Sequence, residues 1–164
     1  MPIVKTVKGN IVDLFKNQQI CPLIAHYAVC TKKIDSSEIG AKLVEEFPEI
    51  VGIDEEFPLP ALYRLGDYSA LRTELGNIVN FYVKFTVADS RLEYSALKSC
   101  LKKLSNEAIA NGTYLELAVP FIEEDKIWKV VSTLYNYQEH LLITVVHHDK
   151  GQIRVGEGEA DSAS

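Results

Sequence analysis

The chain has 164 residues, of which 47% are hydrophobic, and carries a formal net charge of −6 at pH 7. This length suits one globular core better than two domains. The negative charge argues against general binding to nucleic acids or to anionic membranes. No apolar run is long enough for a bilayer span, and MPIVKTVKGN resembles neither a signal nor a transit peptide. Cys21, Cys30 and Cys100 form no CxxC pair, so we expect reduced thiols and a cytoplasmic location.

The first half of the chain alternates strand patterns with helical ones. Strands are predicted at residues 3–7 and 23–27, the second reading LIAHY. Asp35, with Glu38 three residues later, predicts the cap of a helix that ends near Glu46. Residues 51–75 include the proline-rich FPLP and are predicted as a loop with a short strand at residues 62–65.

The second half carries the strongest strand pattern. Residues 77–87 are dense in β-branched and aromatic side chains, which favours a strand. Ser90 and Glu93 form a second capping pattern, and the helix it predicts ends at Asn111 and Gly112. One face of this helix is apolar and is formed by Leu97, Leu101, Leu104 and Ala108.

Two further strands, at residues 113–119 and 141–147, complete the alternation. Strands that alternate with helices of ten to twenty residues indicate an α/β protein whose mixed sheet is covered on both faces. We therefore predict one domain over residues 1–150. Residues 151–164 include GEGEADSAS and are predicted to form a flexible acidic tail.

Six strings of the sequence occur in an order that is known from one protein family. The strings are VKGNIVDLF, LIAH, IGAKLVEEFP, IVNFYVK, YSALKSCLKKLSNEAIANG and LAVPFI followed by Trp128. Together they resemble the macro domain, especially its branch of ADP-ribose-1''-phosphate phosphatases and deacylating ADP-ribosyl hydrolases. The resemblance spans residues 3–147. It implies a three-layer α/β/α macro-domain-like fold with a mixed central sheet, and ADP-ribose or a related nucleotide as ligand.

The resemblance also implies a set of ligand-binding residues. Asn10 stands where the family has an aspartate that commonly holds the adenine amino group, and an amide oxygen can still accept that hydrogen bond. The full set is Asn10, Ile11, His26, Ser36, Ser37, Ile39, Pro120, Phe121 and Ile122. No cofactor is expected, and no metal either, because the histidines and cysteines lack the spacing of known metal sites.

Both ligand loops depart from the family pattern. The glycine-rich first loop is replaced by DSSEIG at residues 35–40, so both glycines that let the backbone close on a ligand are missing. The phosphate loop between Pro120 and Trp128 is about three residues short and has no glycine. It carries Glu123, Glu124 and Asp125 instead, which would repel a diphosphate.

The catalytic residues implied by the resemblance are Lys84 and Asp125. A desolvated lysine beside a carboxylate can attack an ester-linked ribose as a Schiff-base nucleophile while the carboxylate moves protons. An alignment anchored on Tyr94 places Phe85 at the lysine position instead and turns Lys84 to the other face of the strand. A third possibility is a solvated lysine at a strand end and an aspartate that caps a helix.

Two functions follow from these observations. The first is a macro-domain-like protein related to ADP-ribose binding and ADP-ribosyl hydrolysis, with a degenerate phosphate loop and weak or absent catalysis. The alternative is a non-enzymatic interaction or regulatory scaffold with a protein partner. In both cases residues 29–37 and 121–125 should lie side by side at the carboxyl ends of strands, where α/β sheets form binding crevices. Phe121 and Ile122 are expected to fill part of that crevice.

Overall fold

The computed structural model describes residues 3–86, 92–121 and 140–148. Within them, six strands form a single sheet: β1 (Ile3–Lys8), β2 (Leu23–Val29), β3 (Tyr68–Thr73), β4 (Gly76–Lys84), β5 (Leu115–Pro120) and β6 (Leu141–His147). Their order across the sheet is β1-β6-β5-β2-β4-β3. Every neighbouring pair is parallel except β3 and β4, which form an antiparallel pair at one edge. The mixed central sheet predicted from the sequence is therefore confirmed.

Helices cover both faces of this sheet. They are α1 (Ile11–Lys16), α2 (Glu38–Glu46), α3 (Ile50–Glu55), α4 (Ala61–Arg64) and α5 (Tyr94–Ala110). Residues of α1, α2 and α3 pack into the core on one face, and α5 packs into the core on the other. The predicted three-layer α/β/α arrangement is confirmed. None of the helices among the described residues has the length and apolarity needed to cross a membrane.

Strand β4 shows why the sheet needs both layers. Successive side chains of a strand point to opposite faces. Phe81 and Val83 enter the core beside α5, whereas Ile78 and Tyr82 enter the core beside α1, α2 and α3, and all four are fully buried. A strand that is buried on both faces needs a nearly continuous apolar sequence, which is what NIVNFYVK provides.

Helix α5 packs with the face that its periodicity predicts. Its buried residues include Leu97, Leu101, Leu104 and Ala108. The helix ends at Asn111, followed by Gly112 at φ +70°, a backbone conformation that glycine adopts without a steric penalty. Cys100 of this helix is fully buried in the core, and burial raises the pKa of its thiol to about 12.

Three local predictions were wrong. Glu93 is itself the N-cap residue of α5 rather than the third residue of a capping box, and Ser90 lies outside the described residues. Helix α2 is capped by the hydroxyl of Ser37, which accepts a hydrogen bond from the Gly40 amide. Asp35 therefore does not cap α2, and lies in a 3-10 turn, Ile34–Ser36, just before the helix.

The strand predicted at residues 62–65 is the third error. These residues lie in or directly after α4, and the neighbouring edge strand is β3. Pro60 occupies the N-cap position of α4, where its restricted φ of −65° suits the start of a helix. The side chain of Arg64 holds the turn by donating through Nε to the Leu59 carbonyl oxygen at 2.7 Å.

The core beneath α5 gives a first prediction. Leu101→Ala should lower the free energy of unfolding by about 2–5 kcal/mol, because it leaves a cavity at a fully buried position. Ile109→Ala is the matched control on the same helix, where the side chain is 40% exposed, and should cost less than about 1 kcal/mol. Urea denaturation followed by circular dichroism measures both. Equal losses in the two variants would contradict the packing described for α5.

Candidate functional site

The carboxyl ends of two neighbouring parallel strands meet at one side of the sheet. Strand β2 ends at Val29 and is followed by residues 30–37, here called the first loop; β5 ends at Pro120 and is followed by Phe121. The Tyr27 hydroxyl joins the two strand ends by donating to the Pro120 carbonyl oxygen at 2.8 Å. We call the space bordered by the first loop and Phe121 the crevice. Residues 122–125 and Trp128 lie outside the described residues.

The beginning of the first loop is fastened to the end of β4. The Cys30 amide donates to the Lys84 carbonyl oxygen at 2.8 Å. The Thr31 amide and hydroxyl donate to the Phe85 carbonyl oxygen at 3.2 and 3.0 Å. Further along, Ile34 is buried at 3% exposure and anchors the 3-10 turn in the core. The loop is therefore held at both ends, with Lys32 and Lys33 exposed between the anchors.

A cleft of about 450 Å³ opens beside the first loop. It lies between the loop and the segment that carries α3 and α4. Its lining is rich in charge and consists of Cys30, Thr31, Lys32, Lys33, Asp54, Glu55, Ala61 and Arg64. A larger cleft of about 610 Å³ lies between the end of α2 and the β3–β4 turn, near the amino end of β4 and away from the crevice.

His26, Ser37 and Gly40 form the contact between the first loop and the sheet. His26 on β2 is 3% exposed, and its Nε2 lies 3.2 Å from Ser37 Oγ. Ser37 Oγ also accepts from the Gly40 amide at 2.9 Å. A Cβ atom at Gly40 would lie 1.9 Å from the Ile34 carbonyl oxygen and 3.1 Å from His26 Nε2. Only glycine allows α2 to start this close to the strand.

The surroundings of His26 keep its imidazole neutral. Burial lowers the pKa of His26 to about 4, and the side chain of Asn80 on β4 acts weakly in the opposite direction. His26 is the register partner of Asn80 in the parallel β2–β4 pair. A neutral imidazole has one nitrogen that donates and one that accepts, so its two neighbours must have opposite hydrogen-bonding roles.

Asn10 and Ile11 stand at the start of α1. Asn10 Oδ1 accepts from the amides of Val12 and Asp13 at 2.9 and 3.2 Å and so caps the helix. Ile11 is 2% exposed and belongs to the core. The amide oxygen of Asn10 is therefore engaged by the backbone, and its amino group is the part available to a ligand.

The far side of the crevice is aromatic. The ring of Phe121 stacks on His147 with 3.9 Å between ring centroids, and Phe121 stays 37% exposed. Next to it, His148 Nε2 lies 3.5 Å from Glu38 Oε1, which links the end of β6 to the start of α2. That Phe121 fills part of the crevice stays a prediction, and Ile122 lies outside the described residues.

The remaining predicted site residues lie near the ends of β2, β4 and β5 or at the start of α2. Ser36 ends the 3-10 turn, Ile39 is half-buried against the core, and Pro120 is buried at the end of β5.

Of the two predicted catalytic residues, Lys84 is half-buried at the end of β4, and strand alternation puts it on the face of Asn80 and Tyr82. Asp125 lies outside the described residues, so its distance from Lys84 stays untested. Within the described ranges, no three His, Cys, Asp or Glu side chains cluster closely enough to hold a metal ion.

Sequence reasoning missed a buried polar cluster next to this site. Asp54, Ser69, Asn80 and Tyr82 are all less than 9% exposed and hydrogen-bonded to one another in series. The signal available in the sequence was Asn80, an amide in the middle of the apolar string IVNFYV. A polar residue at the centre of a buried strand needs an internal partner, because an unpaired one costs free energy.

Comparison with known proteins identifies the fold. No protein-family model and no curated protein matches the sequence. A solved structure of a macrodomain protein from Streptomyces coelicolor is similar, with a TM-score of 0.65, 13% identity, and coverage of 90% of this chain and 99% of that one. The macrodomain of Thermus aquaticus DarG is also similar, with a TM-score of 0.59, 14% identity and the same coverages. The chain has the macrodomain fold, as the resemblance of its six strings predicted.

The contact at Gly40 gives the second prediction. Gly40→Ala should lower the free energy of unfolding by about 1–3 kcal/mol or more, because the added methyl group clashes with the Ile34 carbonyl oxygen and forces α2 away from the 3-10 turn. Gly52→Ala in α3 is the control, since nothing lies within 4 Å of its Cβ position. That change should stabilise the protein by about 0.5–1 kcal/mol. A neutral Gly40→Ala variant in thermal and urea unfolding would show that the contact is not tight.

His26 gives the third prediction. Its pKa in the folded protein, about 4, lies below the ordinary value of 6.5, so the unfolded chain binds the extra proton first as the pH falls. The contribution of His26 to stability should be constant above about pH 7. Between pH 6.5 and 4, stability should fall by roughly 3 kcal/mol more in the wild type than in His26→Gln. Urea unfolding at a series of pH values measures the difference. Parallel pH profiles for the two proteins would contradict a neutral buried His26.

Proposed function

We propose that this chain binds ADP-ribose or a related nucleotide weakly in the crevice and has no robust hydrolase activity. The observation that carries the proposal is the macrodomain fold together with the meeting of the β2 and β5 carboxyl ends at the crevice. In α/β sheets, ligands bind outside the carboxyl ends of the strands. Fold likeness alone does not determine function, so the proposal depends on the groups that surround the crevice.

Several groups around the crevice suit a nucleotide. Phe121 presents a partly exposed ring that is already stacked on His147, and an aromatic face of this kind can contact a base. The amino group of Asn10 is available for a polar contact with the ligand. Lys32 and Lys33 bring positive charge to the cleft beside the first loop, which favours an anionic ligand.

The sequence of the phosphate loop limits the affinity. Glu123, Glu124 and Asp125 replace the glycines that the family uses there. At an effective dielectric constant near 20, each contact between like charges at 4 Å costs about 4 kcal/mol. Donors at an exposed helix end contribute only about 0.3–1 kcal/mol. We therefore expect repulsion of the diphosphate to exceed the attraction, even after screening by salt.

Residual catalysis would depend on Lys84. Its position at the end of β4 is next to the end of β2, whose Val29 is its register partner. In the proposed reaction, the Lys84 amine attacks the ribose carbon that carries the ester and the carboxylate of the ester leaves. Asp125 takes up the proton that the amine loses, and water then hydrolyses the resulting Schiff base to release the ribose and the amine. Lys84 is only half-buried at this strand end, and we expect slow turnover.

A protein-binding scaffold is the second candidate function. The observation that favours it is the exposure of large apolar side chains on and next to α4. Leu62 is 68% exposed, Tyr63 66% and Leu65 40%. Adjacent exposed apolar residues of this size are typical of surfaces that contact other proteins.

A ligand titration separates the two functions and is the fourth prediction. ADP-ribose at tens of micromolar should leave the melting temperature of the wild type unchanged. Removal of charge by Glu123→Gln with Glu124→Gln should increase the affinity at least tenfold, whereas Glu45→Gln with Glu74→Gln removes two charges elsewhere and should not. Saturating ligand at a hundredfold excess over Kd would add about 2.7 kcal/mol of stability, which calorimetry detects.

The same titration can overturn the proposal in two ways. Micromolar binding by the wild type, with hydrolysis lost in Lys84→Ala, would restore a functional enzyme. Binding that stays undetectable in wild type and in the charge-removed variant at millimolar ADP-ribose would leave the scaffold as the function.

A further inference from the structure

A series of buried hydrogen bonds crosses the sheet toward the crevice. Tyr82 donates from its hydroxyl to Asp54 Oδ1 at 2.6 Å. Ser69 Oγ lies 3.0 Å from the Tyr82 hydroxyl oxygen, and Asn80 Nδ2 donates to Ser69 Oγ at 3.1 Å. Asn80 and Tyr82 are fully buried, and Ser69 and Asp54 are 6% and 7% exposed. The series therefore runs within the protein, over three elements: α3, β3 and β4.

The carboxylate of Asp54 gives this series a single direction. It is paired with Arg64, whose Nη1 lies 3.3 Å from Asp54 Oδ1, and an ionised carboxylate can only accept hydrogen bonds. Because Tyr82 uses its one proton for Asp54, Ser69 must donate to Tyr82. Ser69 then accepts from the amino group of Asn80. The orientation of the Asn80 amide is determined by this chain of bonds, and its oxygen faces the remaining neighbour as an acceptor.

Hydrogen bonds and ring contacts hold the Arg64 side chain in place, so that it forms the fixed end of the hydrogen-bonded series. Its Nε and Nη2 donate to the carbonyl oxygens of Leu59 and Phe57 at 2.7 and 3.3 Å. The guanidinium carbon lies 5.3 Å from the centroids of both the Phe57 and Tyr82 rings. Burial and the bond to Asp54 also raise the pKa of Tyr82, so the phenol keeps the proton that it donates.

The remaining neighbour of Asn80 is His26. The two residues are register partners on β4 and β2 and lie on the same face of the sheet. Among the described residues, Asn80 Oδ1 and His26 Nδ1 have no hydrogen-bond partner at standard geometry. Interaction with Asn80 nevertheless raises the pKa of His26, which is the effect of an oxygen that accepts from the imidazole. A hydrogen bond between these two buried atoms satisfies both of them only if His26 carries its proton on Nδ1.

We infer that Asp54, Tyr82, Ser69 and Asn80 are positioning residues that hold His26 as the Nδ1–H tautomer and so fix the hydroxyl of Ser37 at the crevice. With Nδ1 protonated, Nε2 is an acceptor, and the Ser37 hydroxyl donates a hydrogen bond to it across the 3.2 Å contact. Ser37 Oγ already accepts from the Gly40 amide, so one lone pair is left. This side chain has no proton to offer a phosphate oxygen. It can accept a hydrogen bond from a ligand hydroxyl or amino group.

The tautomer can be measured directly, without any ligand, which is the fifth prediction. Long-range proton–nitrogen correlation on the full-length, ¹⁵N-labelled chain at pH 7 should show His26 with protonated Nδ1 and bare Nε2, with His26→Gln used for assignment. Tyr82→Phe frees Ser69 and Asn80 to turn, so a population with protonated Nε2 should appear. Tyr68→Phe is the matched control, because Tyr68 lies on the opposite face and its hydroxyl bonds to Glu107.

Two results would overturn the inference. One is an Nε2–H tautomer in the wild type, and the other is an unchanged tautomer in Tyr82→Phe. If Tyr82→Phe does not fold, Ser69→Ala interrupts the series one bond closer to His26 and should have the same effect. In that case, an unchanged tautomer in a folded Ser69→Ala variant takes the place of the second result.

The consequence for the ligand rests on the proposed function and has its own measurement. Ser37→Ala should weaken ADP-ribose binding to the charge-removed Glu123→Gln, Glu124→Gln protein by about 3- to 10-fold, as expected for one lost hydrogen bond. An unchanged affinity would refute a direct contact with Ser37. If no nucleotide binds, the proposed function fails. The tautomer experiment still tests whether the buried series of hydrogen bonds sets the tautomer of His26.

Discussion

The structure depends on the burial of β2 between two parallel neighbours, with a layer of helices on each face. In that position the backbone is satisfied by β4 and β5, but a polar side chain has no water to bind. His26 sits in the middle of this strand. Its two nitrogens need partners within the protein: Nε2 contacts Ser37 in the first loop, and the partner inferred for Nδ1 is the register neighbour Asn80 on β4.

This constraint links the core to the crevice. A polar group that is buried for structural reasons also sets the hydrogen-bonding character of the residue at the surface, here Ser37. The charge pair of Asp54 and Arg64 lies in a different part of the sequence, near an edge of the sheet, yet it decides which way every bond in the series points. A buried polar network of this type is costly when any of its members is unsatisfied. Because only one arrangement of the hydrogen bonds avoids that cost, the network has a single geometry.

Much of the fold could be predicted because it depends on local patterns. Strand β4 was recognisable from its density of β-branched and aromatic residues, and α5 from an apolar face at helical spacing. The strand predicted at residues 62–65 failed because apolar residues without clear alternation fit a short helix after a proline equally well. The predicted N-cap of α2 was wrong by two residues, because Asp35 and Ser37 are both residue types that cap helices well. The burial of Ile34 places Asp35 in the 3-10 turn and leaves Ser37 at the start of the helix.

The site was less predictable, for a physical reason. The resemblance of short strings named His26, Ser37 and Phe121 as ligand-binding residues. The structure places His26 against Ser37 and stacks Phe121 on His147, and their role in ligand binding stays a prediction. The residues that orient them come from α3, β3 and β4, and nothing local in the sequence indicates that Asp54 meets Tyr82. Such contacts depend on the register of β3 against β4 and on the packing of α3, which are properties of the whole sheet.

The close contact that glycine permits at position 40 also limits how the first loop can move. Because α2 starts in contact with the strand, the carboxyl end of the first loop cannot swing outward without breaking core contacts at Ile34. The other end is fastened at Thr31 to the backbone of Phe85. We therefore expect any opening of the loop to be confined to Lys32 and Lys33, which lie between the two anchors.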